Sequence, residues 1–201
     1  SDFAFMPGMS WSSRGSYNKL LDNVKTAFAS PYTPRINGKV PVFTYVSCPL
    51  EEIRAFRERL AGDGYADVLL FDNLWLDMFA EYQQTGVLSE ATLAEMESAV
   101  RSKLEVLDGL IFFAFHMFRD NKSDYTLKRK FYYELTEKYV APLFEKVYRE
   151  PALAGKLLGF NLRHGYLGHM SGTNEAEYGT SQLREVLDIA LLLNADILSL
   201  V

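Results

Sequence analysis

Ala195-Asp196-Ile197-Leu198-Ser199-Leu200-Val201 decides the fold. This apolar run follows Thr180–Asn194, whose periodicity predicts a helix, so the two together read as the helix-then-strand half of a β/α unit. It is the sixth such apolar run, and each of the other five leads into a polar loop. A buried strand that ends unpaired would leave backbone donors and acceptors unsatisfied. The expectation is therefore a single β/α domain over 1–201, truncated at the C-terminus and open to truncation at the N-terminus.

Working back from that stretch, apolar runs and amphipathic stretches alternate. Strands are predicted at Phe3–Pro7, Val40–Val46, Ala66–Phe71, Leu110–Phe115 and Lys156–Leu162. Helices are predicted at Tyr17–Ala29, Pro49–Leu60, Leu74–Tyr82, Ser89 to about Leu107, and Asp124–Glu150 with Pro142 kinking or dividing it. Gly8–Ser16 reads as a loop, and Asn37-Gly38 marks a turn. Strands joined by helices make a parallel sheet, because a parallel crossover needs a dozen or more residues. The strands are apolar almost throughout, as they are when both faces are covered.

Two α/β architectures remain, an open doubly wound sheet and a barrel. No glycine-rich phosphate loop follows any strand, which removes the usual nucleotide signatures of open sheets. A full (β/α)8 barrel takes about 250 residues. Six units in 201 residues then fit an incomplete (β/α)8 TIM-barrel type.

Composition narrows the function. The chain is 48% hydrophobic, 23% charged and 14% aromatic, enough for a sizeable core. A net charge of −5 argues against nucleic acid as a partner, and the Lys128-Arg129-Lys130 cluster reads as a solvated helix face. No apolar stretch is long enough for membrane insertion. Cys48 is alone, which excludes an intrachain disulfide and a cysteine-based zinc site and fits cytosol and export alike. The chain does not open on a signal peptide, and neither compartment nor oligomeric state is read from it.

In a β/α barrel the active site lies at the C-terminal ends of the strands. Those loops carry Ser10, Trp11 and Arg14; Tyr45, Ser47 and Cys48; Asp72, Asn73 and Trp75; His116, Arg119 and Asp120; and Asn161, Arg163, His164, Tyr166 and His169. All three histidines and both tryptophans fall in them, while the opposite ends carry turns such as Gly38-Lys39, Gly64-Tyr65, Asp108-Gly109 and Gly155-Lys156. Loops are polar in any protein, so the concentration at one end carries the signal.

Asp72, at the end of Leu69-Leu70-Phe71, is the candidate acid, base or substrate acceptor. The competing role is an N-cap for a helix from Leu74. Asn161 and Arg163 share one strand face and need polar partners, which substrate hydroxyls or an ion pair would supply. Trp11, Tyr45, Trp75 and Tyr166 suit stacking on sugar rings, and equally suit plain packing. His116 and His164 are candidate hydrogen-bonding groups. His164 and His169 lack helical i, i+4 spacing, so no metal site is assigned.

Asn37-Gly38-Lys39-Val40-Pro41-Val42-Phe43-Thr44-Tyr45, the spacing to Glu51–Phe56 and to Gly64-Tyr65-Ala66-Asp67, and Leu183-Arg184-Glu185 before the last strand resemble the TIM-barrel glycoside hydrolases of the fungal α-1,3-glucanase and endo-α-mannosidase kind. The valine between Lys39 and Pro41 departs from that family's pattern, as does the lack of a Trp-Asn-Glu-like segment. The resemblance implies a barrel that hydrolyses a polysaccharide or glycan with two carboxyl groups and no cofactor. It implies Asp72 as one carboxylate and Trp11, Tyr45, Trp75, His116, Asn161, Arg163, His164 and Tyr166 as substrate-binding residues. A non-catalytic carbohydrate-binding barrel stays open beside it. So does a metal-dependent hydrolase using His116, His164 and His169 with Asp72.

Overall fold

The structure is a computed structural model that describes residues 8–9, 17–44, 49–74, 79–112, 134–162, 167–168, 173–174, 187–188 and 190–200. In chain order the elements are β1 (Gly8–Met9), α1 (Tyr17–Ala29), β2 (Val40–Thr44), α2 (Leu50–Gly62), β3 (Val68–Leu74), α3 (Phe79–Thr85), α4 (Glu90–Val106) and β4 (Gly109–Phe112). A π-helical turn at Thr136–Val140 then precedes α5 (Ala141–Tyr148), a 3-10 turn (Pro151–Leu153), β5 (Leu157–Leu162), β6 (Leu167–Gly168), β7 (Thr173–Asn174) and β8 (Ile197–Leu200). These residues form two compact units: Ser1–Leu74 with Ser102–Ile111, and Trp75–Arg101 with Phe112–Val201.

In the first unit the strand order is β1-β2-β3-β4. β1 and β2 are parallel, as are β2 and β3, with Val40 opposite Val68 and Thr44 opposite Asp72. Val40, Val42, Phe43 and Val68 through Phe71 are all buried, so both faces of these strands are covered. The helices bury one stripe each. On α2, Ile53, Phe56 and Leu60 recur at helical spacing and are buried, each contributing roughly 2 kcal/mol. Glu51 and Glu52 sit in its first turn, where the helix dipole favours anions. Its end is closed by Gly64 at φ +86°, with Tyr65 N–H donating to Leu60 O (2.8 Å) and Gly64 N–H to Ala61 O (3.1 Å).

The second unit pairs β5 with β8 in parallel, Gly159 opposite Ile197 and Asn161 opposite Ser199. β6 and β7 form a separate antiparallel pair. Phe112, Phe144 and Phe160 pack together, with centroids 5.6 Å apart from Phe112 to each of the others. Ser89 caps α4, its Oγ accepting the Thr92 N–H at 3.2 Å. Ahead of Pro142 the helix widens, and Ala141 N–H donates to Thr136 O, five residues back. Pro142 has no amide hydrogen to continue the α ladder, which accounts for the wider turn beside it.

One device occurs in both units. Asp108 N–H donates to Leu70 O (2.9 Å), and Asp108 Oδ2 accepts Leu70 N–H (2.7 Å). Asp196 N–H donates to Leu158 O (2.7 Å), and Asp196 Oδ2 accepts Leu158 N–H (2.8 Å). Each aspartate thus takes both polar groups of one residue on the adjoining strand. Arg57 Nη2 adds a 2.7 Å bond to Asp108 Oδ2 and a 3.0 Å bond to Val106 O.

Several expectations shift. Gly8–Met9 is strand, where a loop was expected, and Phe3–Pro7 lies outside the described residues. β3 runs on to Leu74, so the helix expected from Leu74 begins at Phe79 instead. Of the last helix, 187–188 and 190–192 are described as helical. Asn194 (φ +49°) closes it, with Ala195 N–H donating to Ala190 O at 2.9 Å. What is seen is a mixed α/β fold with parallel strands. Among the described residues the strands do not close into a (β/α)8 barrel.

Candidate functional site

The parallel pairing in the first unit sets where its loops leave. Met9 is opposite Thr44, and Thr44 is opposite Asp72, so β1 and β2 end on one row and β3 runs two residues past it. Trp11, Tyr45 and Trp75 follow these strands in sequence and lie outside the described residues. Gly38 (φ +81°) and Gly64 (φ +86°) make the turns at the opposite ends. Asn37 also has positive φ (52°), and Ile36 and Lys39 exchange two 3.0 Å backbone bonds around the pair.

Asp72 is the candidate whose side chain is described. It is buried at 1% exposure in the body of β3, two residues before the strand ends. A residue inside a strand cannot be the N-cap of a helix, so that competing role is removed. Its Oδ2 is ion-paired with Lys103 Nζ, from the last turn of α4. The neighbouring Phe71 points to the other face, where its ring stacks on Phe43 at 4.9 Å. Asp72 therefore lies on the α4 side of the strand.

Lys103 was not singled out from the sequence. A signal was there: Met96, Val100, Leu104 and Leu107 form the buried stripe around it, and a lysine on such a stripe needs an acidic partner. The other candidates are placed less fully. Asn161 lies in β5, in register with Ser199 of β8. Trp11, Tyr45, Trp75, His116, Arg163, His164 and Tyr166 lie outside the described residues, as do Cys48, Arg119, Asp120 and His169. Among the described residues there is no group of three or more His, Cys, Asp or Glu that could hold a metal ion. No helix among them is long and apolar enough to cross a membrane.

No protein-family model matches the chain. No curated protein matches it either. Among solved structures it is similar to one from Bacteroides thetaiotaomicron VPI-5482 described as "a putative alpha-L-fucosidase", with a TM-score of 0.50 and 16% identity. The match covers 91% of this chain and 53% of that one, so this chain spans about half its length. At that identity the likeness concerns the fold.

Proposed function

We propose that the chain forms part of a glycoside hydrolase of the β/α-barrel type, acting on a polysaccharide or glycan by carboxylate chemistry. The observation that carries the reading is the row Met9–Thr44–Asp72. In sequence, Trp11, Tyr45 and Trp75 follow the C-terminal ends of these parallel strands, the end at which β/α enzymes bind substrate. In this reading Trp11, Tyr45 and Trp75 would stack on sugars, and His116, Asn161, Arg163, His164 and Tyr166 would bind hydroxyls. Asp72 would serve as acid/base or as anchor. The fold likeness to a protein described as a fucosidase, and the resemblance at Asn37–Tyr45, support the class.

The test is a screen of the full-length protein for sugar released from α- and β-linked glucans, mannans and α-L-fucosides, with and without a chelator. Chelator-insensitive release is expected. A second reading is a carbohydrate-binding protein without hydrolysis, favoured by the engagement of Asp72 with Lys103. Retention on one glycan without release would select it. Release abolished by the chelator would select a metal-dependent hydrolase instead.

A further inference from the structure

We infer that Lys103 is a positioning residue. Through Asp72 it keys the end of β3 to one register, and so fixes where the strand places Leu74, its last residue. Any bearing on catalysis rests on the glycosidase reading; the keying itself does not.

The argument starts from the strand. Phe71 and Asp72 are adjacent, so their side chains lie on opposite faces. Phe71 stacks on Phe43, and Asp72 meets Lys103 of α4. A slip of one residue in β3 would carry the carboxylate to the Phe71 face, away from Lys103. The apolar neighbours do not discriminate so well, because Leu69, Leu70, Phe71 and Leu74 are all buried and apolar whichever face they take.

The energetics point the same way. Both side chains are largely out of water, Asp72 at 0% and Lys103 at 13% exposure. Desolvating two charges offsets most of their attraction, so apolar side chains of similar volume would serve stability as well. The best-attested use of such a pair is to specify register. Its position fits that use, since it lies two residues from the end of the strand that leads into the Trp75 segment.

The experiment uses the full-length protein and two variants, the double Asp72→Leu/Lys103→Met and the single Lys103→Arg. Thermal melting and amide hydrogen exchange from Phe71 to Leu74 are measured, together with sugar release by the parent and by Lys103→Arg, which keeps Asp72 in place. The double variant is expected to melt no lower than the parent. Its strand-end amides should exchange at least about tenfold faster. Lys103→Arg should keep the parent's protection. Unchanged exchange in the double variant overturns the inference, and so does a large drop in melting temperature, which would make the pair a plain stability element. If the parent releases no sugar, the glycosidase reading fails, and the exchange measurement still decides the role of Lys103.

Discussion

Asp72 shows how a residue type is legible from sequence while its partner is not. An aspartate at the end of Leu69-Leu70-Phe71 stands out, since an ionised side chain next to an apolar run needs an explanation. Its partner lies 31 residues away on another element, and no local pattern links the two. The pair changes what a substitution should do. From the sequence, Asp72→Asn is expected to stop turnover and leave the melting temperature nearly unchanged. With Lys103 left charged and buried, we expect Asp72→Asn to lower stability by roughly 3 kcal/mol, read by urea unfolding. Asp72→Leu/Lys103→Met should stay within about 1 kcal/mol of the parent. Thr136 is the opposite case: its hydroxyl is fully buried and has no hydrogen-bond partner among the described residues. Thr136→Val should raise stability by up to about 1 kcal/mol in the same assay, since the valine buries no polar atom. A loss of that size would mean the hydroxyl is bonded.

The elements divide according to length and period. Tyr17–Ala29 and Leu50–Gly62 were readable because thirteen residues hold several turns of the apolar stripe. Turns at Asn37-Gly38 and Gly64 were readable because few residues accept positive φ. β1, β6 and β7 were not, because two residues carry no period. The extension of β3 through Asp72 was missed because a charged residue reads as a strand stop until its partner is known. Asp108-Gly109 was read as a simple turn, yet Asp108 takes both polar groups of Leu70. Asp108→Ala should cost about 2 kcal/mol, since it strips a charged acceptor from the Leu70 amide and from Arg57. Asp196→Ala, at a more exposed position, should cost about half that. Equal losses would show that exposure does not set the strength of this device.

For the molecule as a whole, the alternation of helical and apolar segments made the α/β class and the parallel pairing readable. Closure was not, because it depends on which strand meets which, and strand order has no local code. Among the described residues, the largest charge network lies in the second unit. Glu97 accepts bonds from Lys146 Nζ (2.6 Å) and Arg101 Nη2 (2.6 Å), and Arg101 also pairs with Glu150. Lys146, then Arg101, holds the Glu97 carboxyl below the usual glutamate range, and Arg101 does the same for Glu150. A carboxyl whose folded-state value is lowered stabilises the fold above its unfolded value and loses that contribution as the pH falls through the lowered one. The network should therefore be in place above pH 4.5, the ordinary glutamate value, and fade below it. Thermal melts of Glu97→Gln should show a shallower acid decline than the parent below that pH, and parallel curves would exclude the network as its source. The paired aspartates have a consequence of a different kind. Asp108 and Leu70 are 38 residues apart, and so are Asp196 and Leu158. Closing two loops of equal length costs nearly the same chain entropy. Each clamp can form once its own aspartate has left the ribosome, without waiting for the other, so a nascent chain would align its strands one unit at a time during translation.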